Sequence, residues 1–164
     1  MEKFKILKEC GTTDTVEGEI KTFKECPNEK FGITKISTGY WKAIHIRSGL
    51  VAVEGTSKAT VMKNLKEMFN YKSRIEHIHK VPSLSENIKQ AKAKDLKFKR
   101  FRYLREEFRK VTGIDCPLCP ITGGVDIIRL DSIVGTPDGI SLRDYLKEKY
   151  GTKAQQIVEE MVEM

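Results

Sequence analysis

Cys116 and Cys119 flank Pro117-Leu118, a spacing that lets two thiolates reach one tetrahedral zinc ion from a tight loop. Cys10 and Cys26 are the other two cysteines, and the four together could close an all-thiolate structural site. That second pair is separated by 15 residues and forms no knuckle of its own, so the pattern is half of a zinc signature. The competing reading makes Cys10 a thiol of a strand core and the others loop or semi-buried cysteines. A redox role for Cys-Pro-Leu-Cys would need a helix opening at the first cysteine, and Pro120, Gly123 and Gly124 argue against one. The histidines are His45, His77 and His79. In an extended segment His77 and His79 would share one side, where they could hold a metal or serve acid–base chemistry near neutral pH. Neither a third ligand nor a carboxylate pair accompanies them. The glycine-containing loops 121–124 and 135–139 lack the lysine of a phosphate-binding loop.

Basic side chains are the other candidate chemistry. Residues 83–113 hold ten Lys and Arg against four Asp and Glu, in a chain of 164 residues whose net charge is +7. Residues 114–164 are acidic, with five basic and nine acidic side chains. On a helix, Lys92, Lys99, Tyr103 and Lys110 fall on one face, with Arg100, Arg102 and Arg109 beside them: cations for phosphates and a ring for stacking. Glu106 and Glu107 interrupt that stripe, so it could equally be a solvated face, or one neutralised by the acidic carboxyl third.

The element that must position this stripe is a long helix over 83–112. Ser83 and Glu86 have capping-box spacing, Gly113 can terminate it, and Phe98, Phe101, Leu104, Phe108 and Val111 recur at helical steps as its apolar face. A break near Lys94-Asp95 is an alternative. Upstream, alternating patterns predict strands over 4–10, 15–23, 31–36, 40–46 and 50–53, with Cys26–Lys30 as turn and Arg47-Ser48-Gly49 closing a hairpin. Thr56 or Ser57 caps a helix carrying Val61, Leu65, Met68 and Phe69, and a short helix or turn follows over 71–82. Downstream, 114–124 reads as loop, 125–130 as a strand, and two helices follow from Ser141 and Thr152.

The segment from Phe31 to Phe69, with Gly39-Tyr40-Trp41-Lys42-Ala43 and Leu50-Val51-Ala52-Val53-Glu54-Gly55-Thr56 before its helix, resembles the three-stranded sheet plus helix of AP2-type and integrase arm-binding domains. The resemblance implies a sheet laid in the DNA major groove, here presenting Lys35, Lys42 and Arg47.

The expected architecture is α+β: an antiparallel sheet with packed helices in the amino-terminal half, one long basic helix and a small carboxyl-terminal α/β segment. It divides into a β-rich lobe over 1–80 and a helical lobe over 83–164, or forms a single domain. The charged amino terminus and the absence of a long apolar run predict a cytoplasmic protein without a membrane span. The leading expectation is a small non-enzymatic binding protein, bacterial or phage-encoded, engaging nucleic acid or an acidic protein surface. Lys92, Lys99, Arg100, Arg102, Tyr103, Lys110, Lys42 and Arg47 would make the contacts, without a cofactor or with one structural zinc. The alternative is a nucleotide or small-molecule binding protein, or an enzyme, with a site near His45, Arg47 and the Cys116–Cys119 loop. A zinc-stabilised adaptor is third. The long helix could also form the seam of a homo-oligomer.

Overall fold

Alternation of apolar and polar residues through the first 55 positions yields five strands: β1 Glu2–Leu7, β2 Thr13–Phe23, β3 Cys26–Lys35, β4 Trp41–His45 and β5 Leu50–Gly55. They pair antiparallel in sequence order. Six helices follow: α1 Lys58–Met68, α2 Lys72–Lys80, α3 Leu84–Thr112, α4 Ile127–Val134, α5 Leu142–Tyr150 and α6 Thr152–Glu163. This computed structural model describes residues 1–164 and is an α+β fold. It separates into two compact units, Met1–Asp95 and Leu96–Met164, with the division inside the unbroken helix α3.

In the first unit, one sheet face receives the helices. Phe31, Ile33 and Ala43 point to α1, where Val61 and Leu65 are fully buried, and Phe69 and Ile78 extend the same core. A fully buried Val, Leu, Ile or Phe side chain contributes about 1.5–3 kcal/mol. Ser57 opens α1, its hydroxyl accepting from the Thr60 N–H at 3.1 Å. The opposite face is closed by the chain's own first strand. The Phe4 ring occupies the space a side chain at Gly32 would need, and Ile44, paired with Gly32, is fully buried. Thr34 adds a hydroxyl bond to the Glu17 carbonyl at 2.7 Å. The sheet-plus-helix arrangement of β3–β5 and α1 is therefore present, with Phe4 of β1 lying over Gly32 on the face opposite α1.

The β4–β5 turn, residues 46–49, joins this sheet to the next two helices. Gly49 has φ +71°, and any side chain there would collide with Leu84 of α3. Arg47 donates to both oxygens of Glu29, and its two terminal nitrogens donate to the carbonyls of Ile78, His79 and Val81 at the end of α2. The Leu84 N–H at the start of α3 donates to the Arg47 carbonyl at 2.8 Å. Asn87, also on α3, donates to the carbonyls of Ser48 and Pro82. The first turn of α3 is thus held by this turn instead of a Ser83–Glu86 capping box; the Ser83 hydroxyl bonds Ser85.

Beneath Arg47, Glu29 is 5% exposed, His45 4% and Ser48 0%. His45 bridges the other two, with Nδ1 at 2.7 Å from the Ser48 hydroxyl and Nε2 at 2.6 Å from Glu29 Oε2. Burial alone would raise the Glu29 pKa, but hydrogen bonds from Arg47 and His45 outweigh it and hold it below the usual glutamate value.

The second unit is helical, and here the sequence-based expectation of a strand over 125–130 is corrected. Only a single bridge pairs Leu118 with Val125. The Asp126 carboxylate caps the Arg129 N–H, and Leu130 and Val134, four residues apart, bury one face of helix α4. The carboxyl-terminal segment is accordingly helical apart from that bridge. Its core joins Leu104 and Phe108 of α3 to Leu130, Leu146, Ile157, Val158 and Met161. Cys26–Lys30, expected as turn, is the first half of β3, because Glu29 and Phe31 both point inward.

Replacing Arg47 by Ala is expected to lower the unfolding free energy of the first unit by about 3 kcal/mol, since it leaves Glu29 buried without its guanidinium. Arg47→Lys is expected to recover less than half, because an ammonium cannot span a carboxylate and three carbonyls. Urea unfolding followed by fluorescence of Trp41, the single tryptophan, reads both. Because the Glu29 pKa is lowered on folding, its contribution is complete above the ordinary glutamate value and is lost as pH falls through the lowered one. Glu29→Gln should therefore flatten the acid limb of the stability curve.

Candidate nucleic-acid interface

The second half of α3 turns one side to the core and the other to solvent. Leu104 and Phe108 are buried, with Phe101 and Val111 half-buried beside them. At 100° per residue, Lys99, Arg102, Tyr103, Glu106 and Arg109 then fall on the opposite side. They line a shallow depression of about 680 Å³, completed by Arg105 and Asp115. Four cations and two carboxylates share this surface. The second unit as a whole has twelve basic and eleven acidic side chains, so the positive character is local to this face.

The predicted contact residues divide by what holds them. Arg100 makes a two-pronged pair with Glu160 of α6, at 2.8 and 3.0 Å, and its pKa is raised by that carboxylate. Lys110 pairs with Glu107 at 3.2 Å, and Lys153 of α6 reaches the other Glu107 oxygen at 3.1 Å. Hydrogen bonds from Lys153 and Lys110 hold Glu107 below the usual carboxylate range. Glu160 of α6 thus neutralises Arg100, whereas Lys110 is neutralised by α3's own Glu107, which also takes Lys153. On the other edge Arg102 stacks over the Phe98 ring, 5.8 Å from its centroid, and makes no ion pair. Arg109 bonds Glu106 at 2.8 Å, and the Arg105 Nε donates to the Cys116 carbonyl. Lys92, Lys42 and Arg47 belong to the first unit. Lys92 is exposed, although its chain packs where a side chain at Gly11 would lie. Lys42 pairs with Glu54, and Arg47 is committed to Glu29 and the end of α2.

Phe98 departs from the predicted apolar face and is 59% exposed. It lies about 100° from the direction of Leu104 and Phe108, too far round to reach their core. Tyr103 is 53% exposed, with Arg100 stacked 5.3 Å from its centroid. Arg105 was missed as a lining residue. Its position, six residues after Lys99, lies toward the half-buried flank, and only the loop carrying Cys116 and Asp115 brings it to the depression.

Of the residues of the alternative site, His45 and Arg47 belong to the first unit and Cys116 and Cys119 to the second. Ser48, His45 and Glu29 have the hydrogen-bond order of a hydrolytic triad, but Ser48 is fully buried and Arg47 already occupies Glu29. His77 and His79 lie on helix α2 and point in different directions instead of sharing a strand face. His79 stands 3.6 Å from Glu29 and 3.9 Å from the Cys26 sulfur.

The four-cysteine zinc site finds no support: no group of three or more His, Cys, Asp or Glu is placed to hold a metal. Cys10 is exposed and bonds the Thr12 hydroxyl, while Cys26 is buried in the core of the first unit. Cys116 is buried in the core of the second unit, and burial pushes its thiol up to about 11. Such a group packs as a small apolar side chain. Hydrogen bonds from the backbone and hydroxyl of Thr122 hold the partly exposed Cys119 thiol below its ordinary value.

Cys10→Ser is expected to leave the unfolding midpoint unchanged, whereas Cys116→Ser, which sets a hydroxyl in an apolar core, should cost about 1–3 kcal/mol. Thermal unfolding followed by circular dichroism compares them, and equal losses would contradict the separate placement. Compared with known proteins, the chain matches no family model, no curated protein and no solved structure.

Proposed function

We propose that this is a non-enzymatic nucleic-acid-binding protein that engages its ligand through the solvent face of α3. The observation that carries the reading is the convergence of Lys99, Arg102, Arg105 and Arg109 around the half-exposed Tyr103 on one face. Cations neutralise phosphates and release counterions, while an exposed ring offers a surface that an acidic protein would not specifically require. Arg102 supports this most directly, since a guanidinium without a carboxylate partner is available to a phosphate. The Arg100–Glu160 pair bounds the face and limits its charge.

Fluorescence anisotropy with labelled oligonucleotides over a salt series tests the reading. Binding should weaken steeply with salt, and Lys99→Glu with Arg102→Glu should reduce affinity at least tenfold and flatten the salt dependence. Glu160→Gln, which releases Arg100, should tighten binding. Tight, salt-sensitive binding to a polyglutamate peptide with none to DNA or RNA would move the reading to an acidic protein partner. Absence of binding to any polyanion would overturn it.

A further inference from the structure

We propose that the ligand is single-stranded, with unpaired bases stacking on Phe98 and Tyr103; this rests on the nucleic-acid reading above. Large aromatic side chains are normally drawn into a core, and the second unit has one a turn away, containing Leu104 and Phe108. Phe98 and Tyr103 nonetheless remain more than half exposed. Each carries a guanidinium near one side: Arg102 at Phe98 and Arg100 at Tyr103. The two rings lie five residues apart, about 7.5 Å along the helix axis, and flank the ridge of Lys99 and Arg102.

This is the pairing of parts that single strands require, in which cations track the backbone and rings receive the bases. A closed duplex hides its base faces within the stack, leaving such rings without a partner there. Glu106 lies on the same face as Lys99 and Arg102, and the Arg109 guanidinium is directed to it at 2.8 Å. That carboxylate breaks the uninterrupted run of cations that purely electrostatic duplex binding would favour. Stacking tolerates the break, because its gain comes from the base faces and not from the number of phosphates met.

The test compares a labelled unstructured oligothymidine of about 16 nucleotides with a duplex of the same length at one salt concentration, using the full chain. The single strand is expected to bind at least tenfold tighter. Phe98→Ala and Tyr103→Ala should each reduce single-strand affinity about tenfold, with the salt dependence unchanged because a ring releases no counterions. Tyr103→Phe should retain affinity. Both positions are exposed, so circular dichroism should match the parent. Duplex binding as tight as single-strand binding, or unchanged affinity in both alanine variants, would overturn this proposal and leave the nucleic-acid reading standing. Failure to bind either oligonucleotide would overturn both.

Discussion

The buried carboxylate of Glu29 is the constraint on which the first unit depends. A charge in that position is tolerable only because His45 and Arg47 bond it from two directions. Meeting this requirement fixes the β4–β5 turn, since both partners sit at its edge. Arg47 then has donors left over for the carbonyls at the end of α2, and its own carbonyl receives the first N–H of α3. One ionic requirement inside the sheet therefore determines where two helices end and begin. Gly49 completes the arrangement by allowing Leu84 to approach the turn.

The same commitment ties the Arg47 guanidinium to Glu29 and the end of α2, above the buried His45–Ser48 pair. Charge elsewhere is partitioned in a comparable way. Along α3 the residues nearest α6 are paired: Arg100 with Glu160, and Glu107 between Lys110 and Lys153. Of the acidic side chains in residues 114–164, Glu160 pairs with Arg100 and Asp115 stands 4.0 Å from Arg109, while Arg102 and Phe98 lie exposed. Basic composition alone did not distinguish Arg100 from Arg102; the placement of α6 does.

Much of the architecture was legible because local signals agreed with tertiary packing. Ser57, Ser141 and Gly113 mark helix ends as their chemistry requires, and the alternation through β1–β5 was strong enough to place the sheet. Asp126 with Leu130 and Val134 was misread because a short apolar run suits either a buried strand or a helix, and the cap decides it. Phe98 was misassigned since an apolar residue one step outside the buried arc still satisfies an i, i+3 count. The Glu29 network was invisible for a different reason: its members come from β3, β4, the following turn and α2, and no local spacing joins them. Likewise Cys116-Pro-Leu-Cys119 has metal-like spacing but is divided between a buried thiol and a partly exposed one.

Hydrogen–deuterium exchange on the full chain with Glu29→Gln measures that dependence most directly. The amide in place of the carboxylate should loosen β4, β5, α2 and the first turns of α3, so that their amides exchange faster, while α4–α6 and the Leu104–Phe108 segment keep their protection. Unchanged exchange at α2 and the start of α3 would show that the helices are held independently of Glu29 and would contradict the account.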